Sequence, residues 1–237
     1  MHLKILEEIM AKKTTRAEEN IQAVEEALSK TEQFIEDNQK PILTVIGVLV
    51  LIILAYFGFQ RFYLKPQETE AQEQVFMAEK YFEMDSLDLA LNGDGLYPGF
   101  LDIIDDYKWT KTANLAHYYT GIIYMEKGEY ETAIDYLNDF EGDDEFVEPM
   151  AIGAIGDCYM ELGETEKAID QYLKAANYSV NEITSPAFLM KAAWSYEING
   201  EYQKAVDVYK RIKTEFSTSQ EAREIDKYIA HAQGMIR

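Results

Sequence analysis

Three stretches of the chain repeat one pattern, and that repetition constrains the fold more than any other feature. They are GIIYMEKGEYETAIDYL from Gly121, GDCYMELGETEKAIDQYL from Gly156 and AWSYEINGEYQKAVDVYK from Ala193. Each opens on a small residue (Gly121, Gly156, Ala193) and places a Tyr three positions later (Tyr124, Tyr159, Tyr196). A Gly follows four residues after the Tyr (Gly128, Gly163, Gly200), and an Ala five beyond that (Ala133, Ala168, Ala205). The period is 35 residues and then 37. A period of this length means stacked supersecondary units, none of which can bury its apolar face alone.

The spacing has a mechanical reading. The first small residue lets a partner helix approach, and the Tyr fills the space between helices. The Gly ends the first helix where a left-handed backbone is cheap. The Ala permits a second close contact. The pattern resembles the tetratricopeptide-repeat (TPR) consensus G-x-x-Y-x-x-x-G-x-Y-x-x-A, with Thr165 departing from the expected Tyr in the middle unit.

Upstream, Glu68–Phe82 reads as a helix with Val75, Phe76, Ala78, Tyr81 and Phe82 apolar. LALNGDGLYPGFLDIIDDY then gives a Gly/Pro-rich loop and a helix around Phe100–Tyr107. This is a degenerate entrance to the solenoid, a helical pair or its four-helix equivalent. Thr218–Gln233 reads as a capping helix. The expected fold is all-α: a TPR solenoid over 64–237, preceded by one transmembrane helix over 41–63.

That membrane helix is expected because ILTVIGVLVLIILAYFGF, from Ile42 to Phe59, carries no charge. At ~1.5 Å per residue it covers most of a ~30 Å hydrocarbon core. Tyr56, Phe57, Phe59, Phe62 and Tyr63 gather at one end, with Arg61 and Lys65 closing it. A cleaved signal peptide fits badly, since some 40 mostly polar residues precede the run and no small-x-small site follows. Six Lys/Arg before the span and two soon after favour an N-terminus on the cytoplasmic side. Residues 1–40 read as an N-terminal amphipathic segment, with Ile21, Val24, Leu28, Thr31 and Ile35 on one stripe of an Arg16–Asn38 helix.

Charge narrows the function. Residues 66–237 hold 14 Lys/Arg and 34 Asp/Glu, a net charge of −20. Such a surface repels phosphate backbones and anionic lipid, so nucleic acid is an unsuitable ligand. The three histidines, His2, His117 and His231, have no metal-ligand spacing, and no nucleotide or nucleophile motif is present. The run Glu141–Glu148 lacks the ligand alternation of an EF-hand and reads as a solvated loop between repeats. No cofactor and no enzymatic activity are expected. The one cysteine, Cys158, falls within a helix and reads as packing.

The whole plan resembles the YfgM-like ancillary subunits of the SecYEG translocon. The resemblance rests on FIEDNQKPILTVIGV at the membrane juncture and on GFLDIIDDY followed by LAHYYTGIIYMEKGEYETAIDYL. It implies a cytoplasmic N-terminus, a periplasmic TPR domain at the inner membrane and a PpiD-like chaperone as partner. It further implies a non-enzymatic adaptor or chaperone for polypeptides emerging from the translocon. An anchored scaffold for envelope assembly or cell division is the alternative.

In TPR folds the first helix of each pair lines the inner face. Carried over, that face holds Leu115, Tyr118, Ile122 and Met125; Met150, Gly153, Asp157 and Met160; then Ala187, Met190, Trp194 and Glu197. Cochaperone TPR domains hold peptide carboxylates there with Lys, Arg and Asn. Here Tyr118, Ile122, Asp157, Met190 and Trp194 stand instead, which suits apolar partners. The expected binding residues are Tyr118, Ile122, Met125, Met150, Met160, Met190 and Trp194.

Overall fold

The computed structural model describes residues 33–34 and 36–236. The chain divides into two compact units, Met1–Tyr63 and Leu64–Arg237. The expected Arg16–Asn38 helix lies almost wholly outside the described residues.

In the first unit, α1 (Gln39–Phe59) is a 21-residue helix, about 31 Å at the usual rise. Its apolar side chains are exposed along its length, Leu51 at 66% and Leu54 at 61% among them. The helix is long and apolar enough to cross a membrane, and none of its apolar window is buried. It is consistent with a single-pass anchor. A π-helical turn, Gln60–Leu64, follows it.

Every described element of the second unit is helical. An entrance of three helices, α2 (Lys65–Glu83), α3 (Leu87–Asn92) and α4 (Phe100–Asp106), leads into three helical pairs. These are α5 (Lys111–Glu126) with α6 (Tyr130–Asp139), α7 (Val147–Glu161) with α8 (Thr165–Tyr178), and α9 (Thr184–Ile198) with α10 (Tyr202–Glu215). A 3-10 turn (Glu221–Glu224) and α11 (Ile225–Met235) close the stack. Each helix packs mainly on its chain neighbours, as a solenoid requires.

The turn inside each pair repeats in atomic detail. Gly128, Gly163 and Gly200 sit at φ +77°, +76° and +76°. Their N–H groups donate to Met125, Met160 and Glu197 carbonyls, each at 3.0 Å. The following Glu129, Glu164 and Glu201 N–H groups reach back to Tyr124, Tyr159 and Tyr196 at 2.9, 2.8 and 2.8 Å. This is the paired bond of a Schellman cap, and it lets the helix end without orphaned carbonyls. The same three glutamates start the next helix, their carbonyls accepting from Ala133, Ala168 and Ala205.

Close packing follows the small residues. A Cβ on Gly121 would stand 2.6 Å from Leu137, and one on Gly156 would stand 2.6 Å from the Tyr172 ring. Ala133, Ala168, Ala193 and Ala205 are all fully buried. The core lies between successive helix pairs, and a separate cluster around Phe100, Ile103 and Ile123 holds the entrance.

Two expectations need correction. LALN is not loop: it belongs to α3, burying Ala90 and Leu91 before Gly93 ends the helix at φ +74°. Six residues are too few to show a helical period, so only tertiary burial reveals it. The entrance therefore has three helices rather than a pair or a four-helix equivalent. The cap also starts later than Thr218. The Ser219 hydroxyl accepts the Ala222 N–H at 3.2 Å, so helical structure begins at Glu221 and the α-helix at Ile225.

Candidate protein-binding surface

The first helices of the three pairs, α5, α7 and α9, carry the positions expected to face a partner. Their exposure is uneven. Trp194 is 44% exposed and Met150 is 47% exposed. Leu115, Tyr118, Ile122, Met125 and Met160 are half-buried and pack against the core clusters. Burial, together with neighbouring Tyr119, raises the Tyr118 phenol's pKa.

Two of the positions are almost wholly buried. Met190 is only 6% exposed and belongs to the core formed by α8, α9 and α10. Gly153 is buried beneath Phe188, whose ring edge occupies the place where a Cβ would stand. Both occupy the same register, three residues ahead of Gly156 and Ala193. That register is buried in the second and third pairs and half-buried at Tyr118 in the first.

One concavity lies between α9 and the closing elements. Ala187, Met190, Lys191, Trp194, Glu224 and Tyr228 are among the residues lining about 510 Å³ of space. The Trp194 and Tyr228 rings stand 6.3 Å apart at 58°. A second concavity of about 340 Å³ lies between α2 and α5, walled by Glu68, Val75, Glu79 and Tyr119. Burial, with Glu83 nearby, raises the Glu79 carboxyl's pKa.

One polar node crosses the inner face. The Lys191 ammonium donates to both oxygens of Asp157 at 2.7 Å, and the Tyr172 hydroxyl donates to Asp157 at 2.7 Å. It ties α9 to α7 and α8 and neutralises the carboxylate beside Trp194's helix. Sequence reasoning missed it, because Lys191 lies 34 residues from Asp157.

Among the described residues, no group of three His, Cys, Asp or Glu side chains is arranged to hold a metal. The acidic run is used structurally: Asp144 accepts the Phe146 and Val147 N–H groups, and Glu148 accepts that of Gly142.

Comparison with known proteins agrees with this geometry. Models described as tetratricopeptide repeat match residues 151–179, and residues 115–141 and 187–219. No curated protein sequence matches the chain. Two crystal structures of nearly identical TPR-like repeats from a putative kinesin light chain of Podosopora anserina, one of them a single-substitution variant, superpose with a TM-score of 0.52. They share 15% and 14% identity and cover 71% of this chain and 87% of theirs. A crystal structure of MamA gives a TM-score of 0.47 at 18% identity, over 67% of this chain and 93% of that one.

The Leu64–Arg237 unit is a TPR solenoid, helical in every described element, and the chain carries one N-terminal helix long and apolar enough to span a membrane. Its repeats mark it as a protein–protein interaction adaptor.

Proposed function

We propose that this chain is a membrane-anchored, non-enzymatic adaptor or chaperone that works beside the SecYEG translocon together with a PpiD-like partner. Its helical unit lies on the periplasmic side, where it receives segments of emerging secreted or envelope proteins. The observation that carries this reading is Trp194. It stands half exposed in an open concavity with Ala187 and Tyr228, on a chain that also bears a membrane-length apolar helix. An aromatic wall in a concavity binds by burying apolar area, which suits unfolded chains.

The test places a photo-crosslinking residue at Trp194, and separately at Tyr118 and Met150, in native membranes. Crosslinks to SecY, a PpiD-like protein or arrested secretory chains support the proposal. Crosslinks confined to cell-division or outer-membrane assembly factors would replace it with the scaffold reading. Single cysteines near Asp94, in a Cys158→Ser background, report orientation. Labelling by an impermeant maleimide in intact spheroplasts is expected; labelling only after lysis overturns the topology.

A further inference from the structure

The loops that join one helix pair to the next form a second exposed surface, separate from the concavity at Trp194. In the α6–α7 loop Phe146 is 40% exposed; in the α8–α9 loop Val180 and Ile183 are 65% and 66% exposed. Tyr178, at the end of α8, is 44% exposed. The two loops touch. The Tyr178 hydroxyl donates to the Gly142 carbonyl at 2.9 Å, and Asn181 Nδ2 donates to the Glu145 carbonyl at 3.4 Å. The next loop joins through Thr218, whose hydroxyl donates to Glu182 at 2.9 Å.

Apolar exposure here has a local cause. Phe146 and Ile183 both occupy the residue just before a helix, where Ser, Thr, Asp or Asn usually caps. Capping is moved two residues back. Asp144 accepts the N–H groups of Phe146 and Val147, and Asn181 accepts those of Ile183 and Thr184, at 2.6–2.8 Å. The side chains at 146 and 183 are thereby released from capping, yet both are large and apolar. One exposed apolar residue needs no explanation, but several on abutting loops mark an interaction surface.

Charge selects the occupant. Glu141, Asp143, Asp144, Glu145 and Glu182 lie in the same two loops as these residues, and residues 140–146 and 179–183 contain no Lys or Arg. We propose that this loop edge docks a basic, amphipathic segment of a partner protein, in which Lys or Arg alternates with apolar side chains. The apolar side chains cover Phe146, Val180 and Ile183, while the cations meet the carboxylates. Anionic lipid is excluded by the sign of the surface.

The test uses the full chain in zwitterionic nanodiscs and a short benzophenone-labelled peptide of alternating Lys and Leu, with empty nanodiscs subtracted. Crosslinks are expected within 140–147 and 178–184, and their yield should fall about tenfold in a Val180→Ser/Ile183→Ser variant. Asp143→Asn/Glu145→Gln should weaken labelling at low salt, and Trp194→Ala should leave it unchanged. Equal labelling by a Lys/Ser peptide would overturn the proposal, since charge alone would then suffice. Crosslinks confined to α5, to α7 beyond Val147 or to α9 beyond Thr184, with none in the two loops, would overturn it equally, whatever the fate of the translocon reading.

Discussion

The Glu68 carboxylate accepts the backbone N–H of Lys111 at 2.7 Å, joining the first helix of the Leu64–Arg237 unit to the start of the first repeat. Its other oxygen accepts the Thr112 hydroxyl at 2.9 Å. Lys111, Phe146 and Ile183 stand at one register, ten residues ahead of Gly121, Gly156 and Ala193. In the second and third repeats the N–H there goes to a local side chain, Asp144 or Asn181. In the first repeat that local position holds Trp109, which has no acceptor to offer. Glu68 supplies it from 43 residues away. The entrance helix thus performs for the first repeat what each later repeat does for itself.

Glu68→Ala should therefore destabilise the unit by about 1 kcal/mol, in the range of a lost cap. Glu68→Gln, which keeps an acceptor, should cost less. Hydrogen exchange locates the effect: the Lys111 amide should lose protection while Ala113, held by the Thr110 hydroxyl at 3.0 Å, keeps it. Unchanged protection at Lys111 would refute the cap.

Cys158 should be inert in the native protein. It is fully buried on α7, and burial, reinforced by Asp157, pushes its thiol pKa up to about 11. The reactive species is the thiolate, so both access and ionisation oppose modification. A thiol reagent at about pH 7.5 should label the folded chain at least about a hundredfold more slowly than the chain in denaturant. Native labelling at near the unfolded rate would show that α7 does not pack as described.

Much of this architecture is legible in the sequence because the repeat signals are local. Gly128, Gly163 and Gly200 announce their turns through a backbone requirement that lies within six residues of chain. The apolar run of α1 is equally self-contained. What escapes is whatever depends on stacking. The α3 helix is too short to show a period, Glu68 acts on a distant helix end, and Asp157 meets Lys191 only across repeats. The inner face suffers most: one register is half-buried at Tyr118 but buried at Gly153 and Met190. Position in a repeat names a helix face, while exposure depends on how closely the next pair approaches.

Gly153 offers a test of that approach. The Phe188 ring edge stands where its Cβ would be, a tighter fit than the 2.6 Å separations at Gly121 and Gly156. Gly153→Ala must displace a ring that is 8% exposed in the core, and overpacking of this kind costs ~1–3 kcal/mol. Phe188→Leu removes the clashing ring edge. The double variant should then be more stable than the sum of the single effects implies, a coupling readable from urea unfolding. Strict additivity would mean that Gly153 is held small for another reason.

His117 makes stability depend on pH. Its Nδ1 is buried without a hydrogen-bond partner, one helical turn from the similarly unpartnered Thr120 hydroxyl. Its ring lies 5.9 Å from that of Tyr136 on α6. Burial lowers its pKa below the usual 6.5, with Asp139 opposing the shift. The folded state therefore favours neutral imidazole, and the unfolded chain takes up the proton first as pH falls. This contribution is fully present above pH 6.5 and is lost as pH falls from there towards the folded value. It cannot exceed ~1.4 kcal/mol per pH unit within that window. His117→Phe should make the loss of stability on acidification shallower while keeping a ring against Tyr136. Urea denaturation of both proteins between about pH 7 and pH 5 measures it. If the variant loses as much stability on acidification as the parent, the titrating group is not His117.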